Sequence, residues 1–547
     1  MHTSKALFVS NNSSWIHLNL GPSATVPLLL GTFAVFFGLI SMVVKEWLFV
    51  SDTLVALLFG ILFGPAGLDA VNPADWIDVH SFTLEFTRLI IAIQVMAAGI
   101  TLPKKYLRDE LKSLLVLLGP VMIWMWLTSA VIIMLVFRLS LLESLLIASC
   151  VAPTDPVLAN SIVRGRFAET KVPQHVRNII SAESGANDGL GYPYLYLALY
   201  LLKFTTSSEA ITRWFVVVVV WEIVMSIVFG AIIGWAARKL LQFARKKSWV
   251  DHDSFLSFAI SLTLLTLGTV ALVGSDDILA CFIAGNAFTW DGWFTEETKQ
   301  AHFQDVLDTV FNFTFFIYLG AIIPWKKLAE GMEMLTTSRL VAAAVLIILF
   351  RRLPMTLAVT RLTPAIKTFR EAVFAGWFGP IGVGAVFYAM VAYEELQDEA
   401  FDGLAVKEYL FPIVYTLVTA SVFVHGVTIP FYHIVNAVPN ATAAVSRFLS
   451  RTPSQSSSNI FIFGSRVQST DSPSPLPVYS NAAPTLISSN KAATLQRRVL
   501  GLETSPLSSS CPPDSGSTLL NSRTTSTTRR PVDLANYGSI GNRSGTD

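Results

Sequence analysis

Of the 547 residues, 52% are hydrophobic and 14% are charged, and the mean hydropathy is +0.55. Soluble globular proteins carry roughly 25% charged residues, so this composition excludes an ordinary soluble domain and points to lipid as the solvent. The net charge of +1 excludes a nucleic-acid partner held by a general basic field.

Residues 1–23 form a short polar N-terminus without the charged region and cleavage site of a secretory signal, so the first apolar segment is expected to remain as a membrane span. A helix needs roughly 20 mostly apolar residues to cross the hydrocarbon. By that criterion residues 24–436 hold thirteen spans: 24–45, 49–70, 82–102, 112–137, 141–163, 177–202, 214–240, 254–274, 276–290, 307–328, 338–360, 370–394 and 408–436. Lys and Arg collect after the odd-numbered spans, as in Lys104, Lys105 and Arg108, or Arg238, Lys239 and Arg245. The loops after spans two and twelve are acidic, with Asp75 and Asp78, then Glu394, Glu395, Asp398 and Glu399. Basic loops stay in the cytoplasm, which puts the N-terminus outside and the C-terminus inside. The loop 291–306 departs from this pattern, being mostly acidic on the expected inner side. Residues 437–547 are rich in Ser, Thr and Pro, bury too little apolar surface to fold, and read as a disordered cytoplasmic tail. Cys150, Cys281 and Cys511 have no metal or disulfide spacing and read as small apolar residues.

Two spans carry breaks: A-P-T-D-P-V at 152–157 in the fifth and G-P-I-G-V-G at 379–384 in the twelfth. Pro153 and Pro380 lie 227 residues apart, and the same offset carries span one onto span eight and span six onto span thirteen. The chain therefore reads as an all-α polytopic membrane protein with two inverted six-helix repeats and a linking seventh helix. In such transporters, paired interrupted spans mark the binding site.

Asp155, Glu183 and Asp188 stand where a bilayer makes charge expensive, and ionisable groups at that depth mark ion or proton pathways. Pro153 and Pro156 free carbonyls near Thr154, which an ion can satisfy, while Asp155 balances the partial charges of the broken ends. On span six, Ser184 and Asp188 share one helix face, and Glu183 and Asn187 share the next. Oxygen donors of this kind suit hard cations such as Na⁺ and Li⁺. Asp188 is the expected carrier of either a cation or a proton, with Thr154, Asp155 and Ser184 as companions. The competing readings are a proline kink capped by Asp155 and paired structural carboxylates at Asp188 and Glu183. A buried Glu183 needs a cation: one of Arg351 and Arg352 is expected to pair with it and the other to snorkel to the inner surface. Asp276 and Asp277 open span nine either as an acidic entrance or as a helix cap. His302, His425 and His433 read as structural histidines.

The strings A-P-T-D-P-V-L-A (152–159), S-A-E-S-G-A-N-D-G (181–189), F-A-G-W-F-G-P-I-G-V-G-A (374–385) and V-H-G-V-T-I-P (424–430) resemble the cation–proton antiporter family, and more closely its fungal plasma-membrane sodium/proton antiporters. The resemblance covers about residues 20–436. It implies a thirteen-helix fold with crossed, partly unwound helices, usually dimeric, in the plasma membrane. It implies ion coordination around Thr154, Asp155, Ser184 and Asp188, with Asn187 preceding the essential Asp188, and a Glu183–arginine pair. It also links the acidic pair Asp276 and Asp277 to transport. The resulting expectation is a secondary antiporter, not an enzyme, exchanging cytoplasmic Na⁺ (with Li⁺, and K⁺ as a further cargo) for external H⁺ without any cofactor. A K⁺-selective exchanger is the alternative within transport, and an ion channel or membrane sensor the alternative outside it.

Overall fold

The computed structural model describes residues 22–44, 50–73, 76, 78–156, 158–159, 172–298, 303–331 and 335–449. The start of the N-terminus, His302, Cys511 and the tail beyond 449 lie outside the described residues, as does most of the loop after the fifth expected span.

Every described element is helical, and each of the thirteen expected spans overlaps at least one helix within its described residues. In chain order they are α1 (Pro22–Met42), α2 (Asp52–Phe63), α3 (Val79–Thr101), α4 (Leu111–Phe137), α5 (Leu141–Cys150), α6 (Gln174–Asn187), α7 (Tyr192–Lys203), α8 (Ser207–Lys246), α9 (His252–Val273), α10 (Asp277–Phe288), α11 (Phe303–Ile322), α12 (Thr337–Phe350), α13 (Leu353–Ala358), α14 (Phe369–Trp377), α15 (Val383–Glu395) and α16 (Val406–Leu449). Among the described residues, seven of these stretches are long and apolar enough to cross a membrane, and four shorter apolar helices accompany them. Of the short ones, α5 is cut off ahead of Pro153 and α10 is sheltered. Helix α10, with 12 residues, is about 18 Å long, too short to cross the hydrocarbon alone. It lies buried between α3 and α8, where Gly230 and Gly234 of α8 bring backbone against backbone: a methyl at either would collide with the Ala280 or Ala284 carbonyl.

The two interrupted spans begin alike. Ser140 and Glu143 form a reciprocal capping box at the start of α5, and Thr368 and Glu371 form another at the start of α14. These boxes recur at nearly the repeat offset read from the sequence. Each helix then stops early. α5 ends at Cys150, ahead of Pro153, and α14 ends at Trp377, ahead of Pro380. The two unwound segments meet, with the Asp155 amide donating to the Pro380 carbonyl at 2.9 Å. The sixth span is also interrupted, which the sequence reading did not anticipate: α6 closes at Asn187, and Gly189–Gly191 tighten into a 3-10 turn before Pro193 opens α7. The final helix runs through 436 to Leu449.

Candidate ion site at the helix crossing

Where the two breaks cross, the chain must satisfy two sets of helix ends in its interior. Asp155 serves both beginnings. Its Oδ1 accepts the Leu158 amide at 2.8 Å and its Oδ2 accepts the Val383 amide at 2.7 Å, so one carboxylate lies against the positive ends of two half-helices. Arg351 serves both endings. Its guanidinium donates to the Val151 carbonyl, to the Pro153 carbonyl at 3.5 Å and to the Gly379 carbonyl at 2.5 Å. The expectation that one arginine snorkels to the surface is therefore corrected: Arg351 is 2% exposed because the orphan carbonyls of two broken helices hold it in the interior.

Arg352 is the partner of Glu183, through two parallel bonds of 2.5 and 2.6 Å between side chains that are almost wholly buried. Its Nε also donates to the Ala375 carbonyl at 2.9 Å. The adjacent arginines share the work because α12 ends between them and Pro354 opens α13.

Thr154 is met by α6. Its amide donates to Asn187 Oδ1 at 3.2 Å, its hydroxyl accepts from Asn187 Nδ2 at 2.8 Å, and the hydroxyls of Thr154 and Ser184 lie 3.0 Å apart. Ser184 thus bonds to the unwound segment, and no bond joins it to Asp188, with which it shares a helix face. Asp188 has a different environment. It is 1% exposed, and neither carboxylate oxygen has a hydrogen-bond partner among the described residues. Its main-chain carbonyl accepts from the Tyr388 hydroxyl. Gly384, at the start of α15, faces it so closely that an added methyl would lie 2.6 Å from Asp188 Oδ1. Asp155 is within its electrostatic reach.

Leaving a buried carboxylate without donors costs more than leaving a neutral group unpaired, so such a group calls for a proton or a cation. Among the described residues no three of His, Cys, Asp and Glu converge, so the surroundings offer hydroxyl, carbonyl and carboxylate oxygen rather than a transition-metal site. His425 is buried and satisfied, bonded to the Ser421 carbonyl at 2.8 Å and the Trp377 carbonyl at 3.0 Å.

Asp276 and Asp277 split. Asp276 caps α10 through the Leu279 amide at 2.9 Å, leaving Oδ2 unpartnered, while Asp277 is paired with Arg88 of α3. Sequence reasoning passed over Arg88, Glu222 and Tyr388. Arg88 and Glu222 had a usable signal: Glu222 is a lone charge inside the apolar run V-V-V-V-V-W-E-I-V, and Arg88 is charged, with Glu85, inside an otherwise largely apolar span, L-E-F-T-R-L-I-I. Tyr388 had none, since tyrosines are common in such helices.

Residues 32–434 match the model of a family described as the sodium/hydrogen exchanger, transmembrane. The chain is 38% identical over 434 residues to a probable Na(+)/H(+) antiporter of Schizosaccharomyces pombe, covering 77% of this chain and 57% of the relative. It is 38% identical over 429 residues to Na(+)/H(+) antiporter 2 of Zygosaccharomyces rouxii, covering 76% of this chain and 53% of the relative. The chain thus spans little more than half the length of these two relatives. A solved structure of the sodium proton antiporter MjNhaP1 from Methanocaldococcus jannaschii shares the fold, with a TM-score of 0.59 at 20% identity, covering 79% of this chain and 100% of that one.

Proposed function

The chain belongs to the sodium/hydrogen exchanger family, and on that premise we propose that it exports cytoplasmic Na⁺ in exchange for external H⁺ by alternating access. The observation that carries this reading is Asp188: a buried carboxylate whose two oxygens have no hydrogen-bond partner among the described residues, beside two crossed, unwound helices. A bare charge there costs roughly 3 kcal/mol or more, so the carboxylate holds a proton or a cation and passes one to take the other. Thr154, Asp155 and Ser184 surround the cargo with oxygen. Asn187 fixes Thr154 and the Glu183–Arg352 pair fixes the helix that carries Asp188. One site that cannot hold both passengers couples their opposite movement, and the proton gradient drives the cycle.

The relatives' names support Na⁺ as cargo. Li⁺, and K⁺ as a further cargo, follow from the same hard-oxygen chemistry. We place the protein in the plasma membrane as a homodimer with a cytoplasmic C-terminus, on the sequence resemblance and the distribution of basic loops. The test is Asp188→Asn in proteoliposomes. The amide is isosteric but holds neither a proton nor a charge, so exchange is expected to fall at least 100-fold while the protein remains monodisperse. Undiminished Na⁺-driven proton flux in that variant overturns the assignment.

A further inference from the structure

Helix α8 winds as a π-helix over Trp214–Val224, a rare geometry concentrated at functional sites, and Glu222 lies within that stretch. Its Oε2 is buried and has no hydrogen-bond partner among the described residues. Across from it stands the start of α10. Ser275 donates to the main-chain carbonyls of Trp221 and Glu222, both at 3.0 Å, which pins the residue before Asp276 onto the residue carrying the second carboxylate. Asp276 is 3% exposed; its Oδ1 caps α10 and its Oδ2 is unpartnered. The two carboxylates are within each other's electrostatic reach. The nearby arginine, Arg88, is already engaged by Asp277 and Glu85, and among the described residues no ion pair joins Glu222 or Asp276 to a basic side chain.

The surroundings connect this place to two others. Tyr192 of α7 lies within electrostatic reach of Asp276, Asp277 and Glu222, and its ring meets that of Tyr388 at 5.3 Å between centroids. Tyr388 donates to the Asp188 carbonyl. In the other direction, the Tyr192 and Tyr196 rings stack at 6.0 Å, and Tyr196 donates to Glu395 at 3.0 Å, next to the acidic loop that the charge pattern assigns to the outside.

We propose that Glu222 and Asp276 form a second monovalent-cation site between Asp188 and the outer face. It uses one free carboxylate oxygen from each of α8 and α10, and it takes up the ion that leaves the central site. Two carboxylates together suit an alkali cation; a divalent ion such as Ca²⁺ takes 6–8 oxygens, and no third acid converges here among the described residues. The path role rests on the antiporter reading, whereas the site itself does not.

The test is equilibrium binding of ²²Na⁺ to the purified, detergent-solubilised full chain. Wild type is expected to bind two Na⁺ per chain, Asp188→Asn one, and Asp188→Asn combined with Glu222→Gln none. Asp276→Asn in place of Glu222→Gln gives the same loss while preserving the helix cap, because Asn caps as well as Asp. Glu222→Asp restores binding, which a merely structural role for Glu222 would not require. The proposal is overturned if Asp188→Asn binds no Na⁺, or if the added Glu222→Gln leaves its binding unchanged. Absence of Na⁺/H⁺ exchange by wild-type proteoliposomes, with the fall from one ion to none intact, removes the antiporter reading and leaves the second site standing.

Discussion

Removing Arg352 tests the buried ion pair directly. Arg352→Met keeps most of the side-chain volume but leaves Glu183 as an uncompensated charge whose carboxylate has lost both of its arginine bonds, at 2.5 and 2.6 Å. Breaking a buried pair from one side costs roughly 3–5 kcal/mol. The Ala375 carbonyl also loses its donor from Nε, which adds about 1–3 kcal/mol. Adding Glu183→Leu removes the stranded charge, and exchanging an entire buried pair for well-packed apolar groups is often close to neutral. The single variant is therefore expected to unfold far more readily than the double variant, with a coupling of about 3 kcal/mol between the two positions. Measuring SDS-induced unfolding of wild type, both single variants and the double variant closes the cycle. Effects that add to within about 0.5 kcal/mol would mean that the bidentate geometry carries no energy, and the reasoning fails.

Two further substitutions probe the crossing. Arg351→Met strips donors from the carbonyls of Val151, Pro153 and Gly379 at once; exchange is expected to drop at least tenfold in proteoliposomes, with Arg351→Lys recovering part of it through a single ammonium donor. Gly384→Ala puts a methyl 2.6 Å from Asp188 Oδ1 and forces the carboxylate to turn away. The expected result is a folded protein with at least tenfold lower apparent Na⁺ affinity, read from Na⁺-dependent proton flux, and an unchanged affinity would show that the carboxylate does not use that side.

The sequence disclosed the breaks because Pro153, Pro156 and Pro380 report on their own backbone, and it disclosed the repeat because two breaks share one offset. The need for a cation beside Glu183 was equally legible, since an acid in an apolar run must be compensated. The division of labour between Arg351 and Arg352 was not legible. Neighbouring residues at a helix end point in different directions, and which one meets Glu183 depends on where Pro354 starts the next helix. The sixth span looked continuous because Gly189 and Gly191 are ordinary residues in membrane helices; their turn follows from contact with α10 and α15, which no local pattern encodes. Ser184 and Asp188 share a face as helical spacing requires, yet spacing alone does not say that Thr154 engages the serine and leaves the aspartate alone.

That last asymmetry explains why the charges around the crossing are not interchangeable. Glu183 is neutralised by Arg352, Asp155 by the amides of two helix beginnings, and Arg351 by the carbonyls of two helix endings. Each of these compensations is built from the chain itself. Asp188 is left out of all of them. A permanent partner there would compete with Na⁺ and with H⁺ alike and would hold the carboxylate in a single state. On the proposed function, the lack of such a partner among the described residues leaves the carboxylate open to either cargo. The dense bonding of the neighbours contrasts with Asp188, whose carboxylate has no partner among the described residues, and that contrast is what the proposed exchange rests on.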